Sequence, residues 1–290
     1  MRYLTPLRYP GGKARLANNI KRILEVNNLV DGHYVEVYAG GAGVACSLLI
    51  DEYVSHVHIN DYDRSVYSFW SSVLNNTESL CRKIRDTRVT VAQWRKQRAV
   101  QANQSKADEL ELGFSTFFLN RTNRSGIICS GGVIGGNDQT GEWKIDARYN
   151  KSELIERIQR IARYRDRITL YRSDAAELLH CLLPKLPKKT LLYLDPPYYV
   201  KGKRRLYANF YEHADHEKIS KVIQTAKLPW IVSYDDQPEI RLLYANRRCL
   251  AYGLQYSARD RYNGAEVMFF SPGLKTPMDV VLSRDGLNGK

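Results

Sequence analysis

Residues 34–43 read YVEVYAGGAG and decide the fold class of this 290-residue chain. The first five of these residues are mostly apolar and predict a buried strand, which a glycine-rich turn follows directly. Residues 44–51 have the composition of a helix, and a second strand over residues 56–59 ends at Asn60 and Asp61. A strand, a glycine turn, a helix and a strand that ends in an acid are typical of a nucleotide-binding α/β sheet.

The alternation of strands and helices lapses after this opening and returns later in the chain. Residues 65–164 contain charged helical segments and a glycine-rich stretch, SGIICSGGVIGGNDQTGEW, in which loops and short β-ribbons are expected. Further strands are predicted over 168–171, 190–194 and 230–234, and a closing hairpin near 249–255 and 266–271. We therefore predict a Rossmann-like α/β domain from residues 1–64 and 165–290. We predict that residues 65–164 form an inserted, mostly helical module that contains a β-ribbon.

The composition favours a cytoplasmic protein with a polyanionic partner. The chain has 44 basic and 31 acidic residues, a net charge of +13, and 20 tyrosines that suit stacking surfaces. Its five cysteines are scattered, without metal-ligand spacing, so we expect reduced thiols and no metal site. No apolar run is long enough to span a bilayer, and no signal core is present, so we expect no membrane partner.

The strand over residues 190–194 ends in Asp195, Pro196, Pro197 and Tyr198. Neither proline can donate to a sheet ladder, so the strand stops here and two acceptors, the Asp195 carboxylate and the Pro196 carbonyl, are held in place. Such acceptors would orient the two hydrogens of an exocyclic amino group and leave its nitrogen lone pair facing outward. Tyr198 supplies a ring for stacking on a flat group. Strand termination alone explains the prolines but neither the acid nor the aromatic residue.

The glycine turn and the next strand end favour an adenosine-containing cofactor. Gly40 and Gly43 let a ligand approach the backbone closely, although a plain strand-to-helix turn explains them equally well. The turn is not a P-loop, and Cys46 occupies the last position of a GxGxxG pattern. Asp61 is suited to accept hydrogen bonds from two ribose hydroxyls, or else is a turn residue or a helix cap. Asp174 also ends a strand and is suited either to an adenine amino group or to capping the following helix.

Together these motifs resemble the DNA adenine-N6 methyltransferases of the Dam-like class. The resemblance covers most of the chain and rests on motifs that occur in the order of the family. They are RYPGGK at residues 8–13, the glycine turn at 36–43, Asn60-Asp61, FLNRTNRSG at 118–126, DPPY at 195–198 and GAEVMF at 264–269.

The resemblance implies S-adenosylmethionine as methyl donor and a flipped adenine in double-stranded DNA as acceptor. It implies that residues 1–64 and 165–290 form the catalytic domain, with DPPY at 195–198 as the catalytic motif, and that the insert at 65–164 is the DNA-recognition domain. It also implies cofactor contacts by residues that match the family motifs. These cofactor residues are Tyr9, Lys13, Gly40, Gly43, Asp61 and Asp195, to which the strand position adds Asp174. Lys13 has the charge to pair with the methionine carboxylate, and it is otherwise a surface lysine.

Basic and amide residues are candidates for DNA contact. In the insert, Arg121 and Arg124 are suited to guanine edges and Asn120 and Asn123 to adenine edges, although phosphate contact or local capping fits each equally. Lys144 ends a stretch, residues 127–144, that resembles a groove-entering ribbon. After DPPY comes a basic run that would clamp phosphates or remain a solvated loop; its members are Lys201, Lys203, Arg204 and Arg205.

Other functions remain open at this stage. A cytosine-N4 or RNA amino methyltransferase is the main alternative, and a non-catalytic nucleic-acid-binding protein is another. Asp195 favours adenine, because the cytosine-N4 enzymes more often carry Ser at that position of the motif. A nicotinamide dehydrogenase is disfavoured by the incomplete GxGxxG. We also expect a monomer or weak dimer with a role in DNA methylation such as restriction–modification.

Overall fold

The computed structural model describes residues 4–8, 13–199, 211–255 and 263–277. Their strands form one seven-stranded sheet. The strands are β1 (Gly32–Glu36), β2 (Val54–Asn60), β3 (Ile168–Tyr171), β4 (Thr190–Leu194), β5 (Trp230–Asp235), β6 (Cys249–Gln255) and β7 (Asn263–Phe270). Their order is β3-β2-β1-β4-β5-β7-β6. The first five run parallel, whereas β7 is antiparallel to both β5 and β6. This topology confirms the predicted Rossmann-like sheet and its closing hairpin.

Helices follow most of the strands, as the sequence predicts. They are α1 (Ala17–Val26), α2 (Gly43–Ile50), α3 (Arg64–Asn75), α4 (Thr77–Asp86), α5 (Val91–Ala102), α6 (Glu109–Thr122), α7 (Lys151–Ala162), α8 (Ala175–Leu182), α9 (His213–Gln224) and α10 (Pro238–Leu243). The short helix α10 was not predicted from the sequence. None of these helices is long and apolar enough to cross a membrane.

Both faces of the sheet are covered by helices. Successive side chains of a strand point to opposite faces, so Tyr34 and Val35 of β1 lie in different hydrophobic clusters. The cluster around Tyr34 includes residues of α1–α4, α6 and α7, and the cluster around Val35 includes residues of α8, α9 and α10. The strand order reverses between β1 and β4, and in open α/β sheets ligands bind outside the carboxyl ends of the strands at such a point.

Helices α3–α7 lie between β2 and β3 in the chain and correspond to the predicted insert. Trp70 of α3 is fully buried, and its indole nitrogen donates to the carbonyl of Gly40 at 2.9 Å. Phe117 of α6 stacks on Phe69 of α3 with ring centroids 6.0 Å apart. Because these residues share one cluster with the sheet, the division of the chain into two domains stays a prediction.

The glycine-rich part of the insert differs from the expected β-ribbon. Residues 127–150 form turns, with one isolated bridge between Asn123 and Val133. Gly135 and Gly136 have φ of 84° and 80°, a conformation that interrupts a regular ladder. The Gln139 amide replaces ladder hydrogen bonds by donating to the carbonyl of Ile134 at 2.8 Å and accepting from the Ile145 amide at 2.8 Å. The loop is therefore organised by a side chain rather than by strand pairing.

Candidate active site

Asp195 lies at the carboxyl edge of the sheet, beside the point where the strand order reverses. Strand β4 ends at Leu194, so the next residue leaves the ladder next to β1 and β5. Its Oδ1 accepts a hydrogen bond from Ser233 Oγ at 2.7 Å, and Ser233 Oγ is 2.8 Å from Tyr193 Oη. The side chain remains 20% exposed. Its carboxylate is therefore fixed at one oxygen and accessible at the same time.

Lys13 reaches the same carboxylate from the other end of the chain. Its Nζ lies 2.9 Å from Asp195 Oδ2, 2.9 Å from Tyr198 Oη and 3.5 Å from Glu266 Oε2. Burial opposes the charged form of Lys13, but the carboxylates of Asp195 and Glu266 outweigh it and raise the lysine pKa. Burial also raises the pKa of Asp195, against the effect of Lys13. The structure thus brings Lys13 to the DPPY motif, rather than leaving it as a surface lysine.

Tyr198 is held by a buried acid that the sequence analysis did not assign to the site. Its hydroxyl donates to Glu266 Oε1, and Tyr252 Oη donates to Glu266 Oε2 at 2.6 Å. Glu266 is fully buried, and the Tyr198 side chain is only 6% exposed. The signal for Glu266 was present in the sequence as an acid inside the apolar strand motif GAEVMF.

The turn that contains Pro196 and Pro197 has a second anchor on β5. The backbone amide of Tyr199 donates to Asp235 Oδ1 at 2.8 Å. Pro196 is buried, and Pro197 is partly exposed. The prolines, Ser233 and Asp235 together fix the chain direction after β4.

The glycine turn and Asp61 meet directly at the carboxyl ends of β1 and β2. Asp61 Oδ2 accepts the Gly40 amide at 2.8 Å, and Oδ1 accepts the Asp63 amide at 3.0 Å. Gly40 has a φ of 46°, and Ala42 is also left-handed at 44°. Burial, with the charge of Asp63, raises the pKa of Asp61 above its usual range. Gly43 begins α2, so the amino end of that helix adjoins the same turn.

Asp174 is the cap of α8, which was one of its two predicted roles. Its Oδ1 accepts the amides of Ala176 at 3.1 Å and Glu177 at 3.2 Å and pairs with Lys218 at 3.1 Å. Asn60 joins the neighbouring strand ends by donating to the carbonyls of Val37 and Ser173.

Three residues predicted to contact DNA are instead buried inside the protein. Asn120 donates to the carbonyls of Arg8 and Gly126, each at 2.9 Å, and accepts the Arg8 amide at 2.7 Å. Arg121 donates to the Pro6 carbonyl through two of its nitrogens. Asn123 accepts from Trp94 Nε1 at 2.6 Å and donates to two carbonyls of the following turn. All three side chains are less than 10% exposed and have structural partners, so we correct the expectation that they read base edges.

The remaining candidates for DNA contact divide into two groups. Arg124 and Lys144 are exposed, although Lys144 Nζ also donates to the carbonyls of Gln139 and Gly141. Five predicted site residues lie outside the described residues, namely Tyr9, Lys201, Lys203, Arg204 and Arg205.

Within the described part of the chain, no group of three or more His, Cys, Asp or Glu side chains is arranged to hold a metal ion.

The chain belongs to the D12 class of N6 adenine-specific DNA methyltransferases, since the model of that family matches residues 9–258. Among solved structures it is similar to a putative methyltransferase, yhhF, from Escherichia coli, at 10% identity and a TM-score of 0.34 over 89% of this chain and 85% of that one. It is also similar to protein LPL1258 from Legionella pneumophila strain Philadelphia 1, at 10% identity and a TM-score of 0.32 over 90% and 86%. No curated protein sequence matches it. The family match confirms the resemblance and the enzyme class that the motifs predicted.

Proposed function

We propose that this protein transfers a methyl group from S-adenosylmethionine to N6 of an adenine that is flipped out of double-stranded DNA. The observation that carries this proposal is the Asp195 carboxylate, which is partly exposed and is fixed by Ser233 at the end of β4. A flat amino group needs such a preorganised acceptor at a sheet edge. Membership of the D12 class supports the choice of adenine over cytosine.

Features of the first two strand ends fit the methyl donor. Gly40, in the left-handed region, allows close approach of a ligand to the backbone. Asp61 is partly exposed beside it, and the ring of Tyr62 is 60% exposed, which suits stacking on a flat base. These residues with Gly43, and Tyr9 by its match to the family motif, are those that would hold the cofactor. When bound, this cofactor supplies an electrophilic methyl group on a sulfonium.

The catalytic strand end is suited to hold the acceptor amine. Asp195 Oδ2 and the Pro196 carbonyl would accept the two N6 hydrogens and leave the nitrogen lone pair free to face the methyl donor. The raised pKa of Asp195 makes it a better acceptor than an ordinary aspartate for the proton that N6 releases. Because Lys13 occupies Asp195 Oδ2 and Tyr198 is mostly buried, entry of a base requires these two side chains to move.

Charge and exposure support DNA as the substrate. The net charge of +13 favours a polyanion, and Arg124 and Lys144 are exposed on the insert. The basic run after DPPY remains a candidate phosphate clamp. The expected monomer or weak dimer, the cytoplasmic location and the link to restriction–modification also stay predictions.

The test is a methyl-transfer assay with labelled S-adenosylmethionine and either duplex DNA or RNA. Digestion of the product to nucleosides and mass spectrometry should identify N6-methyladenine in the DNA. Asp195→Ala should abolish transfer while leaving the circular dichroism spectrum unchanged. N4-methylcytosine, a product in RNA alone, or no product from a folded protein that binds DNA would each replace the proposal with one of the alternative functions. A fully active Asp195→Ala variant would remove the assigned role of this carboxylate.

A further inference from the structure

Glu266 is a buried carboxylate to which the proposed methyl transfer gives no direct role. It is fully buried on β7, and burying a carboxylate is costly unless charge and hydrogen bonds compensate. Both of its oxygens are used: Oε1 accepts from Tyr198, and Oε2 accepts from Tyr252 at 2.6 Å and lies 3.5 Å from Lys13 Nζ. Two of these three partners also belong to the cluster around Asp195.

We propose that Glu266 is a positioning residue, which keeps the Lys13 ammonium and the Tyr198 side chain beside Asp195 without touching the base. This inference rests on the proposed function. Its geometrical basis is a set of three side chains, Lys13, Asp195 and Tyr198, in which Lys13 contacts the other two. Lys13 Nζ lies 2.9 Å from both Asp195 Oδ2 and Tyr198 Oη. Glu266 binds two members of this set, Lys13 and Tyr198.

The charge balance explains why a second carboxylate is needed. When Asp195 Oδ2 accepts an amino hydrogen of the base, its hydrogen bond with Lys13 weakens. Lys13 is buried, with a side chain only 3% exposed, and a buried ammonium needs a counter-charge. Glu266 supplies that counter-charge, so Lys13 can release Asp195 while remaining charged and close by.

The sheet fixes Glu266 relative to the catalytic turn. Glu266 lies opposite Tyr252 in the β6–β7 pair and opposite Asp235 in the β5–β7 pair. Asp235 binds the Tyr199 amide, and Glu266 binds the Tyr198 hydroxyl. Two neighbouring acids therefore hold consecutive residues of the turn, one through the backbone and the other through a side chain.

The decisive variant is Glu266→Gln, which keeps the shape but removes the charge and one acceptor oxygen. The NH2 group that replaces this oxygen would face a tyrosine hydroxyl or the Lys13 ammonium, both of which are donors here. We expect kcat for duplex DNA to fall at least tenfold, with the dissociation constant of S-adenosylmethionine changed less than twofold. We also expect both limbs of the pH profile of kcat to move to lower pH, because Glu266 raises the pKa of Asp195 and of Lys13.

Two further variants separate positioning from simple structural support. Tyr252→Phe removes one hydrogen bond to Glu266 but leaves its charge beside Lys13, so kcat should fall less than in Glu266→Gln, with both pH limbs in place. Glu266→Asp keeps the charge and should recover part of the lost activity and the original pH limbs. If Glu266→Gln does not fold, as judged by its urea midpoint, Glu266→Asp decides, since an unchanged kcat in it would overturn the inference.

The outcomes distinguish this inference from the proposed function. If the unmodified protein methylates no nucleic acid, the proposed function fails first. If the unmodified protein methylates DNA, but Glu266→Gln retains kcat within twofold and both pH limbs, the positioning role alone is refuted.

Discussion

Replacement of Asn120 by Ala tests whether the stretch FLNRTNRSG contacts DNA or supports the fold. A residue that reads DNA should affect substrate binding and leave stability nearly unchanged. In the structure Asn120 is instead fully buried at the end of α6, where its amide bridges two backbone segments. These segments are Arg8, which begins the RYPGGK motif, and Gly126 in the turn after α6.

The size of the effect follows from the contacts that are lost. Asn120→Ala removes three hydrogen bonds, of 2.7, 2.9 and 2.9 Å, and replaces none of them. At about 1 kcal/mol for each buried hydrogen bond, the free energy of unfolding should fall by about 3 kcal/mol. For a urea dependence of roughly 3 kcal/mol per molar, the unfolding midpoint should move about 1 M lower.

The assay is equilibrium urea unfolding followed by tryptophan fluorescence, with methyl transfer measured on the same preparations. The matched control is Arg124→Ala, four positions further on, whose exposed side chain should contribute within about 0.5 kcal/mol to stability. If Asn120→Ala has the same urea midpoint as the unmodified protein and a raised KM for DNA, the structural role is refuted. Asn120 would then be a residue that contacts DNA bases.

Two further predictions concern pH and the surface of the insert. Burial raises the pKa of Glu36 from 4.5 to about 8, so the protonated form stabilises the fold fully below pH 4.5 and this stabilisation is lost as the pH rises to 8. The stability of Glu36→Gln relative to the unmodified protein should therefore increase between pH 5 and pH 8.5, as measured by urea unfolding. A stability difference between the two proteins that stays constant over this range would contradict the raised pKa. The Trp143 side chain is 62% exposed in the turns of residues 127–150. If its ring stacks on a base, Trp143→Ala loses about 1 kcal/mol of binding free energy, and KM for duplex DNA should rise about fivefold. Loss of affinity for S-adenosylmethionine, or of stability, in that variant would argue against a DNA-facing role.

The elements that the sequence predicted well are those with strong local signals. The strand before DPPY stops because two prolines cannot continue a ladder, and β1, the glycine turn and α2 follow from local backbone preferences. Helix α10 was missed because six residues are too few to establish a helical period. The ribbon expected from the glycine-rich stretch was wrong for a related reason, since nothing in that stretch indicated that the side-chain amide of Gln139 would bind the backbone of Ile134 and Ile145.

The site was predicted in its motifs but not in its contacts. Lys13 and Asp195 are 182 positions apart, and nothing in either motif states that one side chain binds the other. Glu266 could be noticed as an acid in an apolar strand, but only the register of β6 and β7 brings it opposite Tyr252. Asn120 and Arg121 were assigned to DNA because amides and guanidinium groups bind bases, and the same donors bind backbone carbonyls equally well.

This second use of Asn120 and Arg121 connects the insert to the active site. Arg121 binds the Pro6 carbonyl and Asn120 binds both backbone groups of Arg8, so the end of α6 fixes the chain shortly before Lys13. Burial, with the nearby charges of Arg157 and Arg8, lowers the pKa of Arg121 to about 9. A basic side chain is held there despite that cost because the Pro6 carbonyl requires a donor.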